Sequence, residues 1–297
     1  MASGLETETQ WRAAARLSNQ RLVEAPVERQ LGMSVDEMSP AGVRTRMPIP
    51  IGELAEAGGG LEVATSVLAD TAAGIALSAH RGHGGPTIEL RLDHVSAPTE
   101  QARWLIAEAS VLHEVAGAAY LAATVHDDTG HEVARATGHF LLTRGSLGAG
   151  PPPLPDSSAV ESPERSGPAV RTLPGRADAL FRALAPGGDP ADWVLPASEW
   201  LANARYDVHG GVLLAIGQLA QRRFQEADGA PPALTPLRIE TDYLRPVPVD
   251  GGELRCRTAY VRRGRAFRGV RSELIRADGQ LAAVVNGLWS TVEGSTR

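Results

Sequence analysis

Two stretches of the chain are apolar on every side of a helical wheel, VATSVLADTAAGIAL (Val63 to Leu77) and VLLAIGQLA (Val212 to Ala220). A helix with no polar stripe belongs inside a fold rather than on its surface. Each stretch is preceded by a glycine cluster and, before that, by a short strand-like segment, VRTRMPIPI in one case and WVLPASEWL in the other. Each is followed by about four segments in which apolar and polar residues alternate with period two, the pattern of half-buried strands. Strand, helix, then a run of antiparallel strands predicts an α+β unit with one helix wrapped by a curved sheet.

The order of elements occurs twice, and so do individual residues. Near the end of each half, Gly130 corresponds to Gly279, Ala134 to Ala283, Gly138 to Gly287 and Phe140 to Trp289, all at one spacing. Asp128-Thr129-Gly130 and Ala277-Asp278-Gly279 predict hairpin turns between alternating strands. Upstream, TIELRLDHVSAP from Thr87 faces TPLRIETDYLRP from Thr235, one residue out of step with the other matches, which leaves the register open. Between the halves, from Gly145 to Arg176, Pro, Gly and Ser dominate and predict a flexible linker. The expected organisation is an N-terminal helical segment (1–34), repeat 1 (35–144), a linker with a short helix (145–189) and repeat 2 (190–297).

Composition narrows the chemistry. With 297 residues and 43% apolar content, the chain can bury a sizeable core, which excludes a disordered protein. A single cysteine, Cys256, excludes a disulfide framework and a Cys-based zinc site, and predicts a reducing compartment. No run of ~18 apolar residues exists and the start of the chain is polar, so the expectation is a cytoplasmic protein without a membrane span. The net charge of −6 argues against nucleic-acid binding, which rests on a basic footprint. Apart from His209, the histidines show no metal-ligand spacing, so no metal and no cofactor are expected.

Asp70 is the only charged residue between Val63 and Leu77. A carboxylate in or beside a core costs several kcal/mol or acquires a raised pKa, so its placement needs a reason. One reason is a base or nucleophile at a cleft; the alternatives are an exposed helix edge or a tie to Ser66 or Thr71. Gly210 and Gly211 precede the second apolar helix. They could offer free N–H groups to a carbonyl oxygen at the positive end of the helix dipole, or merely shape a turn.

The segment Asn203-Ala-Arg-Tyr-Asp-Val-His209-Gly210-Gly211 resembles the "N…HGG" signature of PaaI-type hotdog thioesterases. Leu-Ala-Asp70-Thr71-Ala-Ala-Gly74 resembles the "LAD-x-A-x-G" stretch of that family's central helix. The resemblance spans residues 35–144 and 190–292 and implies a tandem double hotdog. It further implies hydrolysis of an acyl-CoA or acyl-carrier-protein thioester, and is compatible with a homo-oligomer of such units. In the family the site lies between two units, with the acid from one and the glycine donors from the other. Carried over, this gives one composite site of Asp70, Asn203, His209, Gly210 and Gly211, with Thr71 positioning a water. Gln218 stands where the second acid is expected and Gly58-Gly59-Gly60 where the second His-Gly-Gly is expected, so the other site looks degenerate. Two other functions compete: a non-catalytic acyl-thioester binder, and an enoyl-thioester hydratase or dehydratase. The arginines between Arg255 and Arg276 either meet coenzyme A phosphates or form a solvated strand face. Trp104, Trp193, Trp200 and Trp289 are expected on strands as packing residues.

Overall fold

The computed structural model describes residues 2–52, 59–82, 84–142, 178–185, 187–230 and 234–292. The linker expected from Gly145 to Arg176 lies outside them. The first half runs α1 (Ala2–Glu24), α2 (Pro26–Gln30), β1 (Ser34–Ser39), β2 (Gly42–Pro48), α3 (Gly60–Arg81), β3 (Thr87–His94), β4 (Trp104–Val115), β5 (Ala118–Asp127) and β6 (Glu132–Leu141). The second runs α4 (Asp178–Ala183), β7 (Asp192–Pro196), a 3-10 turn (Glu199–Leu201), α5 (Gly210–Ala227), β8 (Thr235–Tyr243), β9 (Glu253–Arg263), β10 (Phe267–Ile275) and β11 (Leu281–Ser290).

The strands form one sheet in the order β1-β2-β4-β5-β6-β3-β8-β11-β10-β9-β7. About the antiparallel β3–β8 pair the order reads the same in both directions, except that β1 has no counterpart beyond β7. Arg91 lies opposite Glu240 at the middle of that pair. Each half of the sheet wraps its own apolar helix, and α3 packs against α5 between them. This is the tandem double hotdog. Val63, Val67, Leu68 and Leu77 on α3 and Val212, Leu214 and Ile216 on α5 are fully buried. By length and composition α3 could cross a membrane, but 78% of its apolar window is buried inside the fold, which makes it a core helix.

The register left open by the sequence is fixed by matching bulges. Thr87 pairs with Phe140, and Pro236 pairs with Trp289, each beside an irregularity at the next step. Thr87 therefore corresponds to Pro236 rather than Thr235, and His94 to Tyr243. The two expected hairpin turns form, with Gly130 and Gly279 in the left-handed region at φ 87° and 78°. Trp200 departs from expectation: it lies in the 3-10 turn and is 41% exposed, while Trp193 and Trp289 are buried strand residues. At the N-terminus α1 packs on the extra strand β1. The short α2 docks on the 3-10 turn through Val27 N–H to Ala202 O (3.1 Å) and Gln30 Nε2 to Trp200 O (2.9 Å).

Candidate active site

The N-terminus of α5 runs into the middle of α3, and the glycine pair is what permits it. A Cβ on Gly211 would sit 2.6 Å from Ser66 O and 2.7 Å from Val67 Cα; one on Gly210 would sit 2.6 Å from Asp70 Oδ2. Any larger residue would push the two helices apart. In this close approach Gly211 N–H donates to Asp70 Oδ2 (2.9 Å), and the Thr87 hydroxyl donates to Asp70 Oδ1 (2.8 Å). Asp70 is 7% exposed. Burial pushes its pKa above the ordinary value, against the smaller lowering effects of His209, Thr87 and the Gly211 N–H.

His209 caps α5. Its Nδ1 lies 3.0 Å from Gly211 N, whose N–H it accepts only when the ring is neutral, and 3.5 Å from Asp70 Oδ2, toward which a protonated Nδ1–H donates. Its Nε2 lies 3.0 Å from Thr71 Oγ1 and 3.3 Å from Glu28 Oε1. Burial lowers its pKa, yet the flanking Glu28 and Asp70 carboxylates outweigh that and leave it raised. Thr71, expected to position water, thus has its hydroxyl against the imidazole. Asn203 lines the same cleft, where its Oδ1 accepts from the N–H groups of Arg205 (2.8 Å) and Asp207 (3.3 Å) and closes the turn leading to His209. Tyr206 in that turn is left-handed at φ 61°. All six expected residues therefore gather in one place.

Three further residues there were not anticipated. Glu28 comes from α2, Thr87 from β3, and Tyr243 from β8, whose hydroxyl donates to Gly210 O (2.9 Å). The register shift hid Thr87 and Tyr243, whereas Glu28 sits in a five-residue helix whose sequence, PVERQ, reads like a surface turn.

These groups open on a cleft of about 720 Å³. Leu22, Ile75, Phe140, Leu141 and Leu213 give it apolar walls, and Arg21, Arg205 and Arg245 stand exposed at its rim. None of the arginines between Arg255 and Arg276 lines it; Arg255, Arg263, Arg271 and Arg276 pair instead with Asp192, Asp228, Glu273 and Asp278. Gly210 is the first residue of α5, and no described residue accepts its N–H. The site thus combines a buried carboxylate, an imidazole and an unbonded N–H at the positive end of a helix.

Where the sequence placed the acid of the other repeat, Gln218 is fully buried and both its amide atoms lack hydrogen-bond partners among the described residues. The polar group beside it is the His94 ring, as Tyr243 lies beside Asp70. Glu62 in the first turn of α3 is paired with Arg222 at 2.6 Å. Of the three glycines expected there, Gly59 and Gly60 open α3 and Gly58 lies outside the described residues.

Two helices, each wrapped by its own half of one continuous antiparallel sheet and packed against each other, define the hotdog fold in tandem. Models of two families match, one in each repeat: "Thioesterase superfamily" over residues 63–134 and "Acyl-CoA thioesterase N-terminal domain" over residues 197–292. Each repeat therefore carries a stretch that matches a thioesterase family model. No curated protein sequence matches it. Among solved structures, a tesB protein of Mycobacterium avium subsp. paratuberculosis is 11% identical, with 89% of this chain and 98% of that chain covered and a TM-score of 0.55. A protein of Novosphingobium aromaticivorans is 15% identical (88% and 98% covered, TM-score 0.54). A hot dog fold protein of Alicyclobacillus acidocaldarius is 14% identical (86% and 95% covered, TM-score 0.50). At such identities these likenesses establish the fold.

Proposed function

We propose that this protein hydrolyses acyl thioesters of coenzyme A or an acyl carrier protein at a single composite site. The carrying observation is that Asp70 of one repeat and Gly210 of the other, whose N–H no described residue accepts, line one apolar-walled cleft, with Asp70 held by the neighbouring Gly211 N–H. The thioester carbonyl accepts from Gly210 N–H, and the acyl chain lies along the apolar wall. An ionised carboxylate has about four lone-pair positions, of which Thr87 and Gly211 use two, so Asp70 can still accept from water. Asp70 takes a proton from that water as its oxygen bonds to the carbonyl carbon. Negative charge collects on the carbonyl oxygen, where one N–H donor is worth about 3–4 kcal/mol. The intermediate then collapses, the C–S bond breaks, and the thiolate leaves with the proton held by Asp70. Direct attack by Asp70, giving an anhydride that water opens, reaches the same products. His209 orients this assembly through Gly211 and Thr71, and Asn203 holds the turn that delivers it.

Thiol release from a panel of acyl-CoA and acyl-carrier-protein substrates tests the reading, with Asp70→Asn as control. Release by the wild type and its loss in the variant support it; absence of release across the panel rejects it. A second reading, hydration of a 2-enoyl thioester, draws on the 3.5 Å approach of Asp70 to His209. Loss of enoyl absorbance without thiol release would select it.

A further inference from the structure

Glu28 is 6% exposed, and among the described residues its Oε2 is buried with no hydrogen-bond partner. Burying a carboxylate is costly unless a charge or donor faces it. The group facing it is His209, 3.3 Å from Oε1 through Nε2. The two are also held by one piece of backbone: α2 is tied to the 3-10 turn at Trp200 O and Ala202 O, and His209 N–H donates to Leu201 O (2.8 Å) between them. Gln30 extends the tie, its Oε1 accepting from Leu180 N–H of α4 (3.1 Å). The backbone that carries Glu28 is therefore held against the backbone that carries His209 by two main-chain hydrogen bonds and by the Gln30 side chain.

We propose that Glu28 is a positioning residue that keeps the proton on Nε2 of His209 and holds the imidazole charged beside Asp70, so that α2, which lies outside both repeats, completes the site. The inference rests on the proposed hydrolysis only for its kinetic readout. The groups facing His209 are Asp70 from α3 and Glu28 from α2, with Thr71 uncharged between them. Tyr243 of β8 stands beyond Asp70, and Asp207, Arg21, Arg205 and Arg245 stand around the cleft. Of the charged groups among the described residues, only these two carboxylates approach the ring within 4 Å. With Nε2–H directed at Glu28, the opposite edge of the ring faces Gly211 N and Asp70 Oδ2. A positive imidazole there favours the ionised form of Asp70.

The test is titration of His209 by NMR in the full chain labelled at histidine, assigned with His209→Gln, alongside pH profiles of kcat and KM. In the wild type, His209 should titrate above the ordinary histidine value. Glu28→Gln, close to isosteric, should lower that midpoint by about one unit or more and move the alkaline limb of kcat/KM downward by the same amount. Its kcat should fall about tenfold with KM little changed, and Glu28→Asp should restore part of both. A folded Glu28→Gln whose His209 midpoint is unmoved overturns the proposal. So does a wild-type midpoint below the ordinary value, which decides the matter even if Glu28→Gln does not fold. A lowered midpoint in a protein that hydrolyses no thioester supports the positioning role and rejects the proposed hydrolysis instead.

Discussion

At one end of the α3–α5 pair a buried carboxylate receives the N-terminus of the opposing helix; at the other, the corresponding place holds Gln218, with both amide atoms unpartnered. The surroundings differ in the same sense. Asp70 is supported by the Thr87 hydroxyl, and the residue matching Thr87 is Pro236, which has neither hydroxyl nor N–H. His209 lies between two carboxylates and is raised, whereas burial pushes His94 down to about 4, so it stays neutral near pH 7. Glu62, near the start of α3, is occupied by Arg222. A shared backbone plan therefore does not make a site; the charge set around the helix junction does.

The comparison predicts very unequal mutants. Asp70→Asn should lower kcat by about two to four decades while the fold is retained, the range for loss of a positioned base. Gln218→Ala should leave kcat within about threefold. Equal losses in steady-state assays would show that both ends of the helix pair work.

The glycines come next in size. Gly211→Ala must move Ser66 O and the Val67 backbone, which costs about 1–3 kcal/mol of stability and withdraws the N–H from Asp70. Thermal melts and kinetics should show both losses. Gly59→Ala, at φ 67°, meets the end of the Leu219 side chain instead and should lower stability without the kinetic loss.

The pH dependence separates the two ends again. With the Asp70 pKa raised by burial, the acid limb of kcat/KM should lie above the ordinary carboxylate value and vanish in Asp70→Asn. His94 acts on stability. Its folded pKa lies near 4 and its ordinary value is 6.5. The unfolded chain therefore binds the extra proton in that window, and stability is lost as pH falls through it, by up to about 1.4 kcal/mol per unit of displacement. His94→Asn should flatten the melting temperature between those limits. The smallest effect belongs to Gln218→Leu: removing a buried amide that makes no well-formed hydrogen bond and has only the His94 ring beside it should leave the melting temperature unchanged or raise it slightly.

Much of this was legible in the chain because both signals are local. The all-round apolar helices and the alternating segments exposed the α+β repeat, and Asp70, alone among apolar neighbours, marked the cleft. The asymmetry of acid and glycine donors followed from laying one repeat on the other. Thr87 escaped because a bulge separates it from Glu89, and no period in a sequence records a bulge; Tyr243 escaped because matching Thr87 to Thr235 set β8 one residue out of step. β1 escaped because SVDEMS is short, mostly polar and irregularly paired. Glu28 escaped for a different reason: it meets His209 only through the docking of α2 on a turn far along the chain, and contacts of that kind leave no local trace.

The β3–β8 pair that joins the halves also has a hereditary consequence. Two separate copies of one repeat would share a single coding sequence, so any change that spoiled one junction would spoil its twin. Joined in one polypeptide, the halves accumulate changes independently. Thr87 and Pro236, or Asp70 and Gln218, can then diverge within one generation line without the intact junction being touched.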